Sequence, residues 1–430
     1  MKKNKKIYIL VGGISGLSAC NFLLKKNIFN TILEKENKLG GLLRPIKIKN
    51  YTFDRAVHLS FAKEKEVREV FDQTDYITHQ PISYNWDKNI WIKHPVQNNL
   101  KPLNFLKKLR LIFSLLSGFF RPSAKVFNYR KWLLNSYGSF FAESYPIKYT
   151  KKYWGYEPEK LSTSWLGPRM NKVNLIDIFR GAFLNTKNNT YYVKEMRYPK
   201  KGSYYKFLEP LIKNSNSKLN KLITSINTKE KIIIVNDNEV YSYDYIINTL
   251  PLPYLCQITE DLPSDLKLKS RELEASQIEL ISIGFNKFID IKSLWFYIYD
   301  EDIYASRCYS PSLKNKNSAP ANYSSIQFEI YKNKLSRIYT KKQLIDNCIK
   351  ALEKWGMATK DDISFTKYDF IENGNVIFKL GTEDIRDELI NWFKKKGIVP
   401  AGRFGEWKYL WSNQSYISGM NAAREIIRMT

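Results

Sequence analysis

Along the first forty residues the spacing of apolar positions changes period twice. Ile7 to Val11 is an unbroken apolar run, the pattern of a strand buried on both faces. It runs into Gly12-Gly13-Ile14-Ser15-Gly16, after which Leu17 to Lys26 is spaced as a helix. A second short apolar run, Thr31 to Leu33, ends on Glu34. Strand, glycine turn, helix, strand and acid in this order predict a dinucleotide-binding βαβ unit. Its glycines let backbone and helix N-terminus approach a pyrophosphate, and its acid accepts from a ribose hydroxyl. The G-x-G-x-x-G spacing would begin at position 11, where the chain has Val11. A valine there must keep ordinary extended backbone or strain the turn.

The pattern continues in alternating blocks. Leu103 to Phe120 has helical spacing, flanked by Lys101, Lys107, Lys108, Arg110 and Arg121. That fits a helix lying on a membrane surface or a core helix, and the core reading is favoured. Residues 123–195 read as mixed helices and loops dense in aromatics. Tyr204 to Asn214 reads as a helix; Lys231 to Val235 and Tyr243 to Asn248 read as strands, the second ending in Thr249-Leu250-Pro251. A loop at the carboxyl end of a strand is where open sheets bind ligands. Ile278 to Phe285, Trp295 to Tyr299 and Ile326 to Tyr331 predict a second, mostly β layer. Lys341 to Trp355 and Tyr416 to Arg428 predict helices.

Length and composition narrow the class. The chain has 430 residues, room for two or three domains, and 43% hydrophobic content excludes a disordered chain. Four scattered cysteines read as small buried hydrophobes in a reducing compartment, with no metal-ligand spacing. The net charge of +27 suggests an anionic partner, although lysines decorating solvated faces account for it equally well. No recognised nucleic-acid module accompanies that charge, so nucleic acid is not expected as a partner. The basic start leads directly into a strand, which argues against a signal peptide, and no apolar run reaches the length of a membrane span. The expected location is cytoplasmic, with peripheral membrane contact through the basic surface left open.

Candidate chemistry clusters in five segments. Gly40-Gly41-Leu42-Leu43-Arg44 places turned backbone amides and a guanidinium shortly after Glu34. Phe53-Asp54-Arg55-Ala56-Val57-His58 carries a histidine, one of three in the chain. Tyr149-Thr150-Lys151-Lys152-Tyr153-Trp154-Gly155 and Gly402-Arg403-Phe404-Gly405-Glu406-Trp407-Lys408-Tyr409 complete the set with the N-terminal turn. No Ser-His-Asp, Cys-His or metal constellation accompanies them.

In this order the five segments resemble the flavin superfamily that contains amine oxidases, protoporphyrinogen oxidase and UDP-galactopyranose mutase. The resemblance covers nearly the whole chain. It implies an α/β fold: a Rossmann-like FAD-binding domain interrupted by a helical and β-layered substrate domain. The FAD domain would be assembled from residues 1–80, 201–270 and 396–430. Residues 81–200 would form a mainly helical insertion and 271–395 a β-rich one. FAD would be held by Gly12, Gly13, Gly16, Glu34, Lys35, Gly40, Gly41, Leu42, Arg44, Thr249, Gly402, Arg403 and Ile417. Tyr149 would stack on a nucleobase and Trp154 touch a sugar, while Arg169, Arg307, Arg403 and Tyr409 hold a diphosphate. His58 and Arg307 would stand nearest the chemistry, which the flavin itself carries.

The resemblance implies an FAD-dependent oxidoreductase acting on a nucleotide-sugar or other phosphorylated glycan precursor. A flavin-dependent sugar ring isomerase of the UDP-galactopyranose mutase type is the alternative, and a non-enzymatic scaffold with a weakened FAD site is a third. Phe61 stands where mutases carry a second histidine, and Trp407 and Asn413 where they often carry Tyr and Asp. These departures count against the mutase reading and leave the flavoprotein reading intact.

Overall fold

The structure is a computed structural model and describes residues 5–121, 126, 128–167, 174–184 and 195–429. A five-stranded parallel sheet runs in the order Ile398–Pro400, Tyr245–Asn248, Ile7–Leu10, Thr31–Leu33, Ser217–Lys218. Its strands come from the start, middle and end of the chain. The central strand, Ile7–Leu10, is the apolar run expected from the sequence, with Ile9 and Leu10 wholly buried. The helix Ile14–Leu24 begins earlier than expected, which puts Gly16 inside its first turn. It packs against the last helix, Ser412–Met429, where Gly419 comes close to the backbone of Ser15.

The second sheet has seven strands, in the order Ile363–Ile371, Gln277–Phe285, Ser325–Lys332, Arg307–Tyr309, Trp295–Ile298, Tyr84–Asp87, Ile90–Lys93. The expected β layer is therefore present. The hairpin at 84–93 joins it, so segment 81–200 contributes strands as well as helices. Period-2 burial assigns each face a partner. Ile278, Leu280 and Tyr331 share a core with Leu111, Leu115, Leu133 and Phe141 of the helical layer. Ile281, Ile283 and Phe328 face Leu344 and Cys348 of the helix Lys341–Lys354. That helix is opened by a full capping box between Thr340 and Gln343.

Two expectations need refinement. Tyr204 to Asn214 is a 3₁₀ turn, Tyr204–Leu208, followed by a short α-helix, Glu209–Lys213, because Pro210 suits a helix start. The helix Phe105–Phe119 buries Leu111, Ile112 and Leu115 but leaves Phe105, Leu106 and Phe113 exposed. It is a core helix on one face only. All four cysteines are buried and free. Among the described residues no helix is long and apolar enough to cross a membrane, and no cluster of metal-ligating side chains occurs.

Candidate functional site

Two cavities meet between the sheets. The first, of about 850 Å³, lies at the carboxyl ends of the parallel strands. Gly13, Glu34, Lys35, Gly40, Gly41, Leu42, Arg44, Thr249, Gly402 and Arg403 all line it. Gly13 caps the helix Ile14–Leu24 with no side-chain hydrogen bond and no acid in the first turn. The free amides and positive end of the helix dipole therefore face the cavity. A Cβ added at Gly13 would meet nothing within 4 Å, so open space lies in front of the helix end.

Gly12, Gly16 and Ile417 stand outside the lining. The glycines act by close packing instead. A Cβ at Gly16 would come within 2.2 Å of the Val11 carbonyl, and one at Gly12 within 2.2 Å of Leu39. Glu34 is buried and accepts from the amides of Gly12 at 2.8 Å and Glu36 at 3.0 Å. Val11 takes the strained alternative, with a φ of 78°. A β-branched residue in the left-handed region is a genuine outlier. The Thr249 hydroxyl donates to the Leu10 carbonyl at 2.6 Å and shares that proton with the Val11 carbonyl at 3.1 Å.

The second cavity, of about 640 Å³, is lined by aromatic side chains from the helical layer and the large sheet. Tyr149, Trp154, Arg307, Tyr409 and His58 all line it. Arg307 and Glu329 face each other across paired strands, and Nε donates to the carboxylate at 2.9 Å. Glu329 is wholly buried and its other oxygen accepts from the Val57 amide at 2.8 Å. Burial disfavours the charge on Arg307, but Glu329 outweighs it and holds the guanidinium charged. Among the described residues the buried hydroxyls of Tyr145 and Tyr149 have no hydrogen-bond partner. Arg169 lies outside the described residues.

Leu42, Arg55, His58, Ile371, Arg403 and Ser412 line both cavities, so the two spaces adjoin. The segment carrying Arg55 and His58 is anchored from below. Asp54 is wholly buried, paired with Lys314, and accepts from the Tyr198 hydroxyl at 2.9 Å and the Tyr204 amide at 3.2 Å. Tyr309 exchanges hydrogen bonds with the Asp54 backbone. Ala56 follows with a φ of 70°, which turns His58 into the cavity. Burial lowers the His58 pKa to about 4, with Asp54 opposing and Lys314 and Arg403 reinforcing the shift. His58 is neutral at pH 7. Phe61 packs edge-on against Trp411 in the same wall.

Arg403 lines the junction, but its guanidinium is bound to the carbonyls of Leu410 and Gly374 and to the Asn375 side chain. It locks the C-terminal motif to the edge of the large sheet. Arg55 differs. Its buried Nε has no hydrogen-bond partner among the described residues, and burial together with nearby Arg44 lowers its pKa, with Asp369 and Glu36 opposing. Sequence reasoning misses Arg55 as a site residue, although its place between Asp54 and His58 is a usable signal. It misses Glu329, Tyr145 and Ser412 because nothing local marks them.

Residues 12–74 match the family described as the NAD(P)-binding Rossmann-like domain. A reduced UDP-galactopyranose mutase superposes with a TM-score of 0.93 at 22% identity, over 99% of this chain and 96% of that one. The chain has this fold over nearly its whole length. A putative protoporphyrinogen oxidase from Exiguobacterium sp. 255-15 shares it, with a TM-score of 0.77 at 15% identity over the whole of both chains. So does the cyclohexylamine oxidase from Brevibacterium oxydans IH-35A, with a TM-score of 0.71 at 13% identity over 99% of both. In this fold the glycine-lined cavity of the present chain fits a dinucleotide. An unblocked helix N-terminus and a buried acid one strand away match a pyrophosphate and a ribose.

Proposed function

We propose that the chain is an FAD-dependent enzyme acting on a nucleotide-sugar or another phosphorylated glycan precursor. The observation that carries this reading is the meeting of the two cavities at Arg55 and His58. Bound FAD would supply two-electron chemistry at that junction. The chain's own residues do the rest. Amides at Gly13 and the first helical turn would hold the pyrophosphate, and Glu34 the ribose hydroxyls. In the aromatic cavity Arg307, kept charged by Glu329, would pair with a substrate phosphate, while the free hydroxyls of Tyr145 and Tyr149 donate to further oxygens. Neutral His58, its Nδ1–H donated to the Ala56 carbonyl at 3.2 Å, leaves Nε2 to accept a hydrogen bond at the junction without adding charge. The apolar walls exclude water from the reacting atoms.

Two outcomes are open to such a site: net redox turnover, or sugar ring isomerisation without it. The leading reading is an oxidoreductase. The likeness to the reduced mutase over nearly the full length of both chains favours the second. A visible spectrum of the purified protein before and after dithionite tests the flavin. Turnover of a nucleotide-sugar with and without an electron acceptor separates the two chemistries. A protein that shows no flavin spectrum after FAD addition overturns the proposal. Sustained acceptor consumption overturns the isomerase reading.

A further inference from the structure

The helices Phe105–Phe119 and Leu175–Phe183 carry an apolar face that nothing among the described residues covers. On the first, Leu106, Phe113 and Phe120 recur at seven-residue spacing and are 74%, 68% and 76% exposed, with Phe105 beside them. On the second, Ile176, Phe179 and Phe183 form a parallel exposed stripe. Residues three, four and seven apart share one face of a helix, so each helix is apolar on two sides, one inward and one outward. The two stripes adjoin. Lys108 lies over the Phe183 ring at 5.6 Å, and the Lys101 amide donates to the Gly181 carbonyl at 2.9 Å.

Charge says what covers this face. From residue 88 to residue 142 the sequence has ten lysines and arginines and no aspartate or glutamate. Lys101, Arg110, Arg121 and Arg180 are exposed around the stripes. Phenylalanines projecting from a helix whose rim is uniformly basic suit an interface of acyl chains under anionic headgroups. A second copy of the chain would bring the same positive rim against itself.

We infer that this helix pair is a docking surface for an anionic lipid bilayer, with the helices lying in the plane of the headgroups. The helix Leu175–Phe183 also presents Asp177 to the aromatic cavity, so one element connects the bilayer face to the substrate cavity. The inference stands whether or not the proposed chemistry is right.

The test is sedimentation of the full chain with phosphatidylcholine vesicles containing or lacking 30 mol% phosphatidylglycerol (roughly one anionic lipid in three). The wild type is expected to pellet with the anionic vesicles and not with the neutral ones. Phe113→Ser combined with Phe179→Ser is expected to weaken that binding about tenfold or more, at unchanged flavin content and melting temperature. A Phe113→Trp variant reports insertion directly, because brominated lipid should quench its fluorescence more than that of the wild type. Equal binding to both vesicle types, binding unaffected by the double substitution, or no vesicle binding overturns the inference. So does a dimer by light scattering that the double variant converts to monomer.

Discussion

The two cavities are built in opposite ways. The dinucleotide cavity is made of backbone: an uncapped helix end, turned glycine amides and a carbonyl held by Thr249. The aromatic cavity is made of side chains contributed by the helical layer and several strands of the large sheet. A backbone site depends on where side chains are missing, and a single Cβ can close it. A side-chain site depends on partners that keep each group charged or neutral, and it fails when a partner is removed.

Glycine substitutions test the first half of that contrast most severely. Gly16→Val drives a side chain into the Val11 carbonyl, and we expect loss of flavin and of the folded N-terminal unit together, read by absorbance and circular dichroism. Gly13→Ala is the sharper probe. Its methyl meets no protein atom, so the melting temperature of the flavin-free protein should be unchanged while FAD affinity falls by about tenfold or more. Equal loss of stability in the two variants would show that the glycines serve the fold alone.

Removing a partner tests the second half. Arg307→Ala leaves the wholly buried Glu329 without its cation, and unfolding free energy should drop by about 3–5 kcal/mol. Flavin content of the surviving folded fraction should hold. At the junction, Arg55→Gln removes a charge with no hydrogen-bonded partner at Nε, so it should cost no stability. It should weaken FAD binding by about 1.5–3 kcal/mol, the range of a charge-assisted hydrogen bond, measured by calorimetry.

The parts legible in the sequence follow the same division. Glycine spacing, Glu34 and the apolar central strand are local, so the dinucleotide unit is legible from residue order alone, down to the anomalous valine at position 11. Gly40-Gly41 and the Gly402–Tyr409 motif are legible for the same reason. The Arg307–Glu329 pair is half legible: Arg307 stands out, but its partner comes from the neighbouring strand, and pairing register is not written in either segment. Arg55 is hidden by its neighbours, since a lone arginine next to an aspartate reads as a surface pair. Here Asp54 points down to Lys314 and leaves Arg55 without that partner. The helix Phe105–Phe119 poses a choice between core and surface, and both apolar faces exist.

Two smaller effects complete the contrast. His58 and His94, both in the aromatic cavity, have pKa values lowered to about 4 by burial. The unfolded chain takes up those protons at the ordinary histidine value, near 6.5, and the folded chain does not until about pH 4. Stability is therefore full above pH 6.5 and falls as pH drops from there toward 4, and denaturant midpoints across that window should show it. Substrate turnover between pH 5 and 8 should show no inflection from His58. Val11→Gly relieves a left-handed backbone worth about 1–2 kcal/mol, offset in part by the greater freedom of glycine in the unfolded chain. A net gain of up to about 1 kcal/mol, with a modest rise in flavin occupancy, is expected; a large rise would mean that the native turn cripples the site.

The contact between the first helix and the last has a consequence for synthesis. The Ser18 hydroxyl is bonded to the Tyr416 carbonyl, 398 residues away, and Gly402 packs onto Ser15. At roughly 5–20 residues per second, the N-terminal turn leaves the ribosome tens of seconds before the segments that close over it. The nascent βαβ unit must wait half-built, with its glycine turn open and its outer face uncovered. Cofactor capture then waits for the segments beyond residue 400, and a ribosome stalled short of them would hold a polypeptide whose cofactor site is still open.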